Sequence, residues 1–203
     1  MIRISILLLS LLWSQALLAH PQVRLETSMG NIDIELYEED MPETVKNFLS
    51  YVDSGFYDGT IFNQVIQDTL IMGGGYNRDL SKKERKDPIK NESKKGLLNE
   101  RGTVAMLHLS SPNTATSEFF INLIHNSQFD YKTFNIGYAV FGKVTNETMG
   151  TLDSINYVPV GSEGMFKYMP NTAVEIIKAY RIQDSYSTGS VLPPEESDNP
   201  DGQ

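Results

Sequence analysis

Residues 62–75 read FNQVIQDTLIMGGG, and residues 102–122 read GTVAMLHLSSPNTATSEFFIN. In the first stretch Phe62, Val65 and Ile66 form a short β-type run. A second run at 70–72 stops at Gly73-Gly74-Gly75. The other stretch is two β-type runs, 103–109 and 118–122, joined by a loop rich in Ser, Pro, Asn and Thr.

Outward from this pair, residues 22–27 and 31–37 read as two strands around a turn at 28–31. Ile32, Ile34 and Leu36 alternate with Asp33 and Glu35, the pattern of a half-buried strand. Residues 42–54 read as a helix: Pro42 suits its first turn, Asp40 or Met41 its cap, and Val45, Phe48, Leu49 and Val52 share one face. Residues 60–66, 138–144 and 172–182 add strands, and Asn146 caps a short helix with Met149, Leu152 and Ile155 on one side. Strand runs outnumber helices and turn signals recur between them, which predicts a mainly β antiparallel barrel with a few covering helices.

A chain of 203 residues with 40% hydrophobic and 21% charged residues suits one globular domain with a sizeable core. Its net charge of −9 argues against binding a phosphate backbone. Residues 1–19 have the form of a secretory signal: Arg3, a nearly continuous apolar run at 4–12, then small residues for cleavage after Ala16 or Ala19. The apolar run is short of the ~20 residues that span a bilayer, so no membrane span is expected after its removal. The mature chain is expected to be periplasmic or secreted. The domain is expected over 20–183. Residues 184–203, with five acidic residues, three prolines and neither lysine nor arginine, are expected to form a disordered acidic tail. Residues 76–100 form a long charged loop in which Asp79, Glu84, Asp87 and Glu92 interleave with eight basic residues, the pattern of a solvated segment.

Several chemistries are set aside. His20, His108 and His125 lack metal-ligand spacing, and the chain has no cysteine to join them. The triple glycine lacks the Lys-Ser/Thr of a phosphate loop. No nucleophile elbow is present around Asp153-Ser154.

The order F-x-x-V-I at 62–66, G-G-G at 73–75, G-T-V-A-M at 102–106, A-T-S-E-F-F-I-N at 115–122 and G-Y-A-V-F-G-K-V at 137–144 resembles the cyclophilins, and most closely their exported bacterial branch. These proteins are peptidyl-prolyl cis-trans isomerases. The resemblance covers about residues 21–182. It implies a closed eight-stranded barrel with helices at its ends, assistance to the folding of exported proteins, and proline-containing peptides or unfolded exported proteins as partners. It implies no nucleic acid and no cofactor or metal, and a monomer is expected.

The resemblance also places a site. Gln64 stands at the family's arginine position, where a donor faces the prolyl nitrogen, and is the catalytic candidate. Thr69, Leu70 and Met72 stand where the family has phenylalanine, methionine and glutamine. Glu118 takes the place of another glutamine, and Gln128 that of an aromatic. Phe120 keeps the pocket floor, with Phe62, Phe129 and Tyr138 beside it and Leu107 and His108 along the groove. A charge-assisted hydrogen bond contributes about 1.5–3 kcal/mol against about 0.5–1.5 for a neutral one. Gln64 in place of arginine is therefore expected to cost on the order of ten- to thirtyfold in rate. The alternative reading is a cyclophilin-like peptide-binding or chaperone domain without catalysis.

Overall fold

The computed structural model describes residues 20–182. The expected signal segment and acidic tail lie outside the described residues. The strands are β1 (Gln22–Thr27), β2 (Gly30–Leu36), β3 (Thr60–Ile61), β4 (Gln64–Ile66), β5 (Leu70–Gly73), β6 (Thr103–Met106), β7 (Phe119–Asn122), β8 (Ala139–Val144), β9 (Val160–Glu163), β10 (Phe166–Pro170) and β11 (Glu175–Ile182). The helices are α1 (Pro42–Asp53) and α2 (Met149–Asn156).

Nine strands form one antiparallel sheet in the order β3-β11-β1-β2-β8-β6-β7-β5-β4. Its first and last members are two halves of a single chain passage, parted only by Phe62 and Asn63. The sheet therefore curls round until its two edges meet in sequence, and the expected mainly β barrel is present. The expected single strand at 60–66 is broken there: the Phe62 N–H still bonds the Val174 carbonyl at 2.9 Å, one step beyond the β3–β11 pairs, whereas Gln64–Ile66 pair with β5.

The inside of the curl holds the main core. Val23, Leu25, Ile32, Ile34, Val65, Ile71, Val104, Ile121 and Phe141 fill it from the strands, and α1 adds Val45, Phe48, Leu49 and Val52. At its centre Phe48, Tyr57 and Phe62 pack around Phe119 with ring centroids 5.7, 5.6 and 6.3 Å away. Burial pushes the Tyr57 phenol well above its ordinary pKa; it stays neutral and donates to the Ser117 carbonyl at 2.9 Å.

The triple glycine answers to close packing. A Cβ on Gly73 would lie 2.8 Å from the Phe62 ring, and one on Gly75 would lie 2.7 Å from Glu118. Gly74 takes φ +84° with the Ser117 carbonyl against its back.

Met41 stands at the N-cap of α1, one of the two expected positions, but no side chain there caps the helix. The carboxylate of Glu92, distant in sequence, accepts from the Thr44 N–H and hydroxyl, both at 2.8 Å, so an anion still faces the helix start. Asn146 does not cap α2; it opens a 3₁₀ turn that leads into the helix. The loop at 76–100 is pinned by its own cations rather than merely solvated. Lys83 donates to the carbonyls of Phe56 and Asp58, Lys86 to that of Ser50, and Arg85 pairs with Glu118.

A candidate prolyl-binding site on the outer face of the barrel

Five strands bring one residue each into a single row across the outer face. Gln64 is opposite Met72, Met72 opposite Phe120, Phe120 opposite Ala105, and Ala105 opposite Val140. Side chains alternate along a strand, so all five share a face and their neighbours point into the core. Leu70, Ala105, Phe120 and Val140 form a second, smaller apolar cluster there, edged by Ile66, Met72, Leu107, Phe129 and Tyr138. Phe120, Phe129 and Tyr138 meet edge to face in a triangle with centroids 5.2–5.5 Å apart.

With Met72 moved aside, this arrangement would offer Phe120 to a small apolar ring and an amide donor to one side of it. Gln64 lies two strands from Phe120, about 10 Å by inter-strand spacing. Its Nε2 donates to the Lys167 carbonyl on the β9–β10 hairpin at 3.2 Å. Phe120 itself is only 1% exposed, because the half-buried Met72 and the aromatic walls cover it.

His108 stacks on Tyr138 with ring centroids 4.5 Å apart, and its Nε2 lies 3.0 Å from the Gly137 carbonyl. That contact fixes the ring as a wall of the groove. Leu107 borders the cluster, and its N–H bonds the Glu118 carbonyl at 2.9 Å. Glu118 points to the same face as Phe120, two residues along the chain. Its carboxylate takes a 2.5 Å bond from Arg85, and both side chains are largely buried. Arg85 is absent from the residues expected from sequence. The one signal for it is Glu118, since a carboxylate buried on a strand needs a cation.

Phe62 does not join the site. It is fully buried in the main core against Phe119. Phe62 and Gln64 would share a face in an unbroken strand, but the break at Phe62-Asn63 reverses the alternation. Thr69 and Gln128 stand at the rim and contribute through polar contacts. The Thr69 carbonyl accepts from Asn126, and Gln128 donates to the Asn126 side chain.

Those contacts belong to a buried network beneath the Phe129 wall. Asn122 donates to Asn99 and Thr103, Asn126 donates to Asn122, and Asn99 donates to Asp130 through its backbone and side chain. Asn122→Ala would strand these buried groups and is expected to lower stability by about 1–3 kcal/mol. Urea titration checks this; an unchanged midpoint would show that water replaces the amide without cost.

Sequence and structure comparisons identify the family. The family model described as cyclophilin type peptidyl-prolyl cis-trans isomerase/CLD matches residues 22–181. This chain is a cyclophilin. A peptidyl-prolyl cis-trans isomerase of Acinetobacter baylyi is 45% identical over 175 residues, which cover 86% of this chain and 93% of that protein. Peptidyl-prolyl cis-trans isomerase B of Escherichia coli is 41% identical over 165 residues, covering 80% of this chain and 99% of that one. Among solved structures, a Cryptosporidium parvum cyclophilin crystallised in the presence of the dipeptide Ala-Pro superposes with a TM-score of 0.65. It is 26% identical and the match covers 80% of this chain and 99% of that one. The curled antiparallel sheet with two helices is thus the cyclophilin fold, and the enzyme class is peptidyl-prolyl isomerase. Among the described residues no helix is long and apolar enough to cross a membrane.

Proposed function

We propose that this cyclophilin is a slow prolyl isomerase for exported proteins, with Phe120 as the floor for the proline ring and Gln64 as the donor. The observation that carries the reading is the row Gln64–Met72–Phe120, which puts an amide donor and an apolar floor on one face. The export part rests on the signal-like composition of residues 1–19.

Amide resonance sets a barrier of about 18–20 kcal/mol to rotation about the peptide bond. Twisting localises a lone pair on the prolyl nitrogen. A donor placed to meet that lone pair binds the twisted state better than either planar one, and only such differential binding speeds rotation. Gln64 spends one amide N–H on the Lys167 carbonyl and keeps a second for the prolyl nitrogen. The donor is neutral, and Met72 must swing aside before a ring can reach Phe120. Methionine is the side chain best suited to that movement. Both features support low turnover.

Prolyl exchange on an Ala-Pro peptide, followed by NMR with the full chain and with Gln64→Ala, tests the assignment. Acceleration by the parent that falls about tenfold in the variant is expected. Equal rates from the two would remove Gln64 from the donor role. The covered Phe120 also favours a second reading, a peptide-binding domain without catalysis. Its signature is peptide-induced shifts at Phe120 and Tyr138 with no faster exchange.

A further inference from the structure

A second groove of about 630 Å³ lies on the other side of the Tyr138 wall. Lys90, Lys94 and Lys132 line it, together with Tyr131, Phe134 and Ile136. In a chain of net charge −9, none of the described residues that line it carries a carboxylate. Its apolar part is held in place. Lys132 and Asn135 exchange two 2.9 Å backbone bonds across a tight turn, and Phe134 projects from that turn fully exposed. Lys94 sits over the Tyr131 ring at 5.9 Å, and Ser93 fixes the Ile136 carbonyl at 2.6 Å. A large exposed apolar ring beside three cations fits an apolar and acidic partner.

The chain carries such a segment. Residues 191–201 read VLPPEESDNPD: an apolar run of Val, Leu and two prolines, then four carboxylates with no cation. We propose that this groove docks residues 191–201 of the same chain. Charge and apolar content match in kind, and the connection starts from the same end of the barrel strands. β11 ends at Ile182 opposite Gln22, which is itself opposite Glu35 on β2. Tyr37 follows β2 and shares a cluster edge with Leu97, three residues from Lys94. The eight residues 183–190 that join Ile182 to this segment reach about 26–29 Å when extended. Tethering gives an effective concentration on the order of millimolar, so weak contacts suffice.

The docked segment would lie against the prolyl-binding site. The Gly137 carbonyl accepts from Asn91, a residue lining the groove, and from His108, which stacks on Tyr138. The inference stands whether or not the site catalyses isomerisation.

The test compares amide spectra of the full chain with those of a full-length variant carrying E195Q, E196Q, D198N and D201N, at low salt. Shifts confined to residues 90–94 and 131–136 are expected, and these should vanish in the parent at 1 M salt. A synthetic peptide of residues 184–203 added to that variant is expected to bind at the same amides. K94E with K132E, both at exposed positions, should weaken that binding at least about tenfold, about 1.4 kcal/mol. Identical spectra for parent and variant would overturn the proposal. So would shifts that grow with protein concentration, which would assign the segment to a second copy. Equal binding of a plain polyglutamate peptide would overturn the apolar part of the match.

Discussion

Gln64→Arg is expected to raise the rate of prolyl exchange about ten- to thirtyfold over the parent. The position already faces the right way: Gln64 is half-buried at the edge of the row that runs through Met72 to Phe120. An arginine there keeps the existing contact, because one of its five N–H groups can serve the Lys167 carbonyl. The others extend further over Met72 toward Phe120. A cationic donor exceeds a neutral one by about 1–2 kcal/mol, and in the twisted state that difference appears directly in the barrier. The readout is the exchange rate of an Ala-Pro peptide at fixed protein concentration. A gain without tighter ground-state binding would show that the added donor acts in the twisted state. No gain, with peptide still shifting Phe120, would mean that the prolyl nitrogen never comes within reach of position 64. Adding Met72→Gln separates donor from access. If a covered floor is the larger obstacle, the double variant will exceed Gln64→Arg.

Most of this fold could be read in the sequence because its signals are local. Alternation in β2 and the 3–4 spacing of Val45, Phe48, Leu49 and Val52 in α1 each reflect one face meeting one core. The β9–β10 hairpin was not legible. Its residues lack alternation, Tyr168 adopts φ +55°, and a bulge falls between Lys167 and Met169. It forms where β4 and Tyr76 offer it support: Phe166 packs edge to face on Tyr76 at 4.8 Å, and Lys167 receives Gln64. Phe62 shows the same limit in reverse. The family pattern attaches it to the groove, but a two-residue break between β3 and β4 turns it inward, and no local signal reveals that break. Arg85 is a third case. It lies in a run of mixed charge that reads as solvated, yet burial of Glu118 thirty-three residues later selects this one cation. What the sequence hides is which distant segment supplies the partner.

Phe119 and Phe120 are adjacent, and their alanine variants are expected to fail in different ways. Phe119→Ala opens the centre of the main core, where Phe48, Tyr57 and Phe62 all lean on the lost ring. Those neighbours are fully buried and set by three different elements, so the cavity cannot collapse. A loss of about 3–5 kcal/mol is expected, with the urea midpoint falling at unchanged slope. Phe120→Ala removes a ring from the smaller cluster at the surface. Met72 is flexible and lies directly across the strand, so it can fill much of the space, and the loss should fall below about 3 kcal/mol. Its effect on function should be the greater. Phe129 and Tyr138 lose the ring that sets their angle, and the row loses its floor. Prolyl exchange and peptide-induced shifts should therefore disappear together in a protein that is still folded. Should Phe120→Ala retain exchange at the parent rate, the proline ring must sit elsewhere, and the row from Gln64 to Val140 would be only a seam of the barrel. Should Phe119→Ala be the milder change in stability, the aromatic cluster would not be the centre of the core that its packing describes.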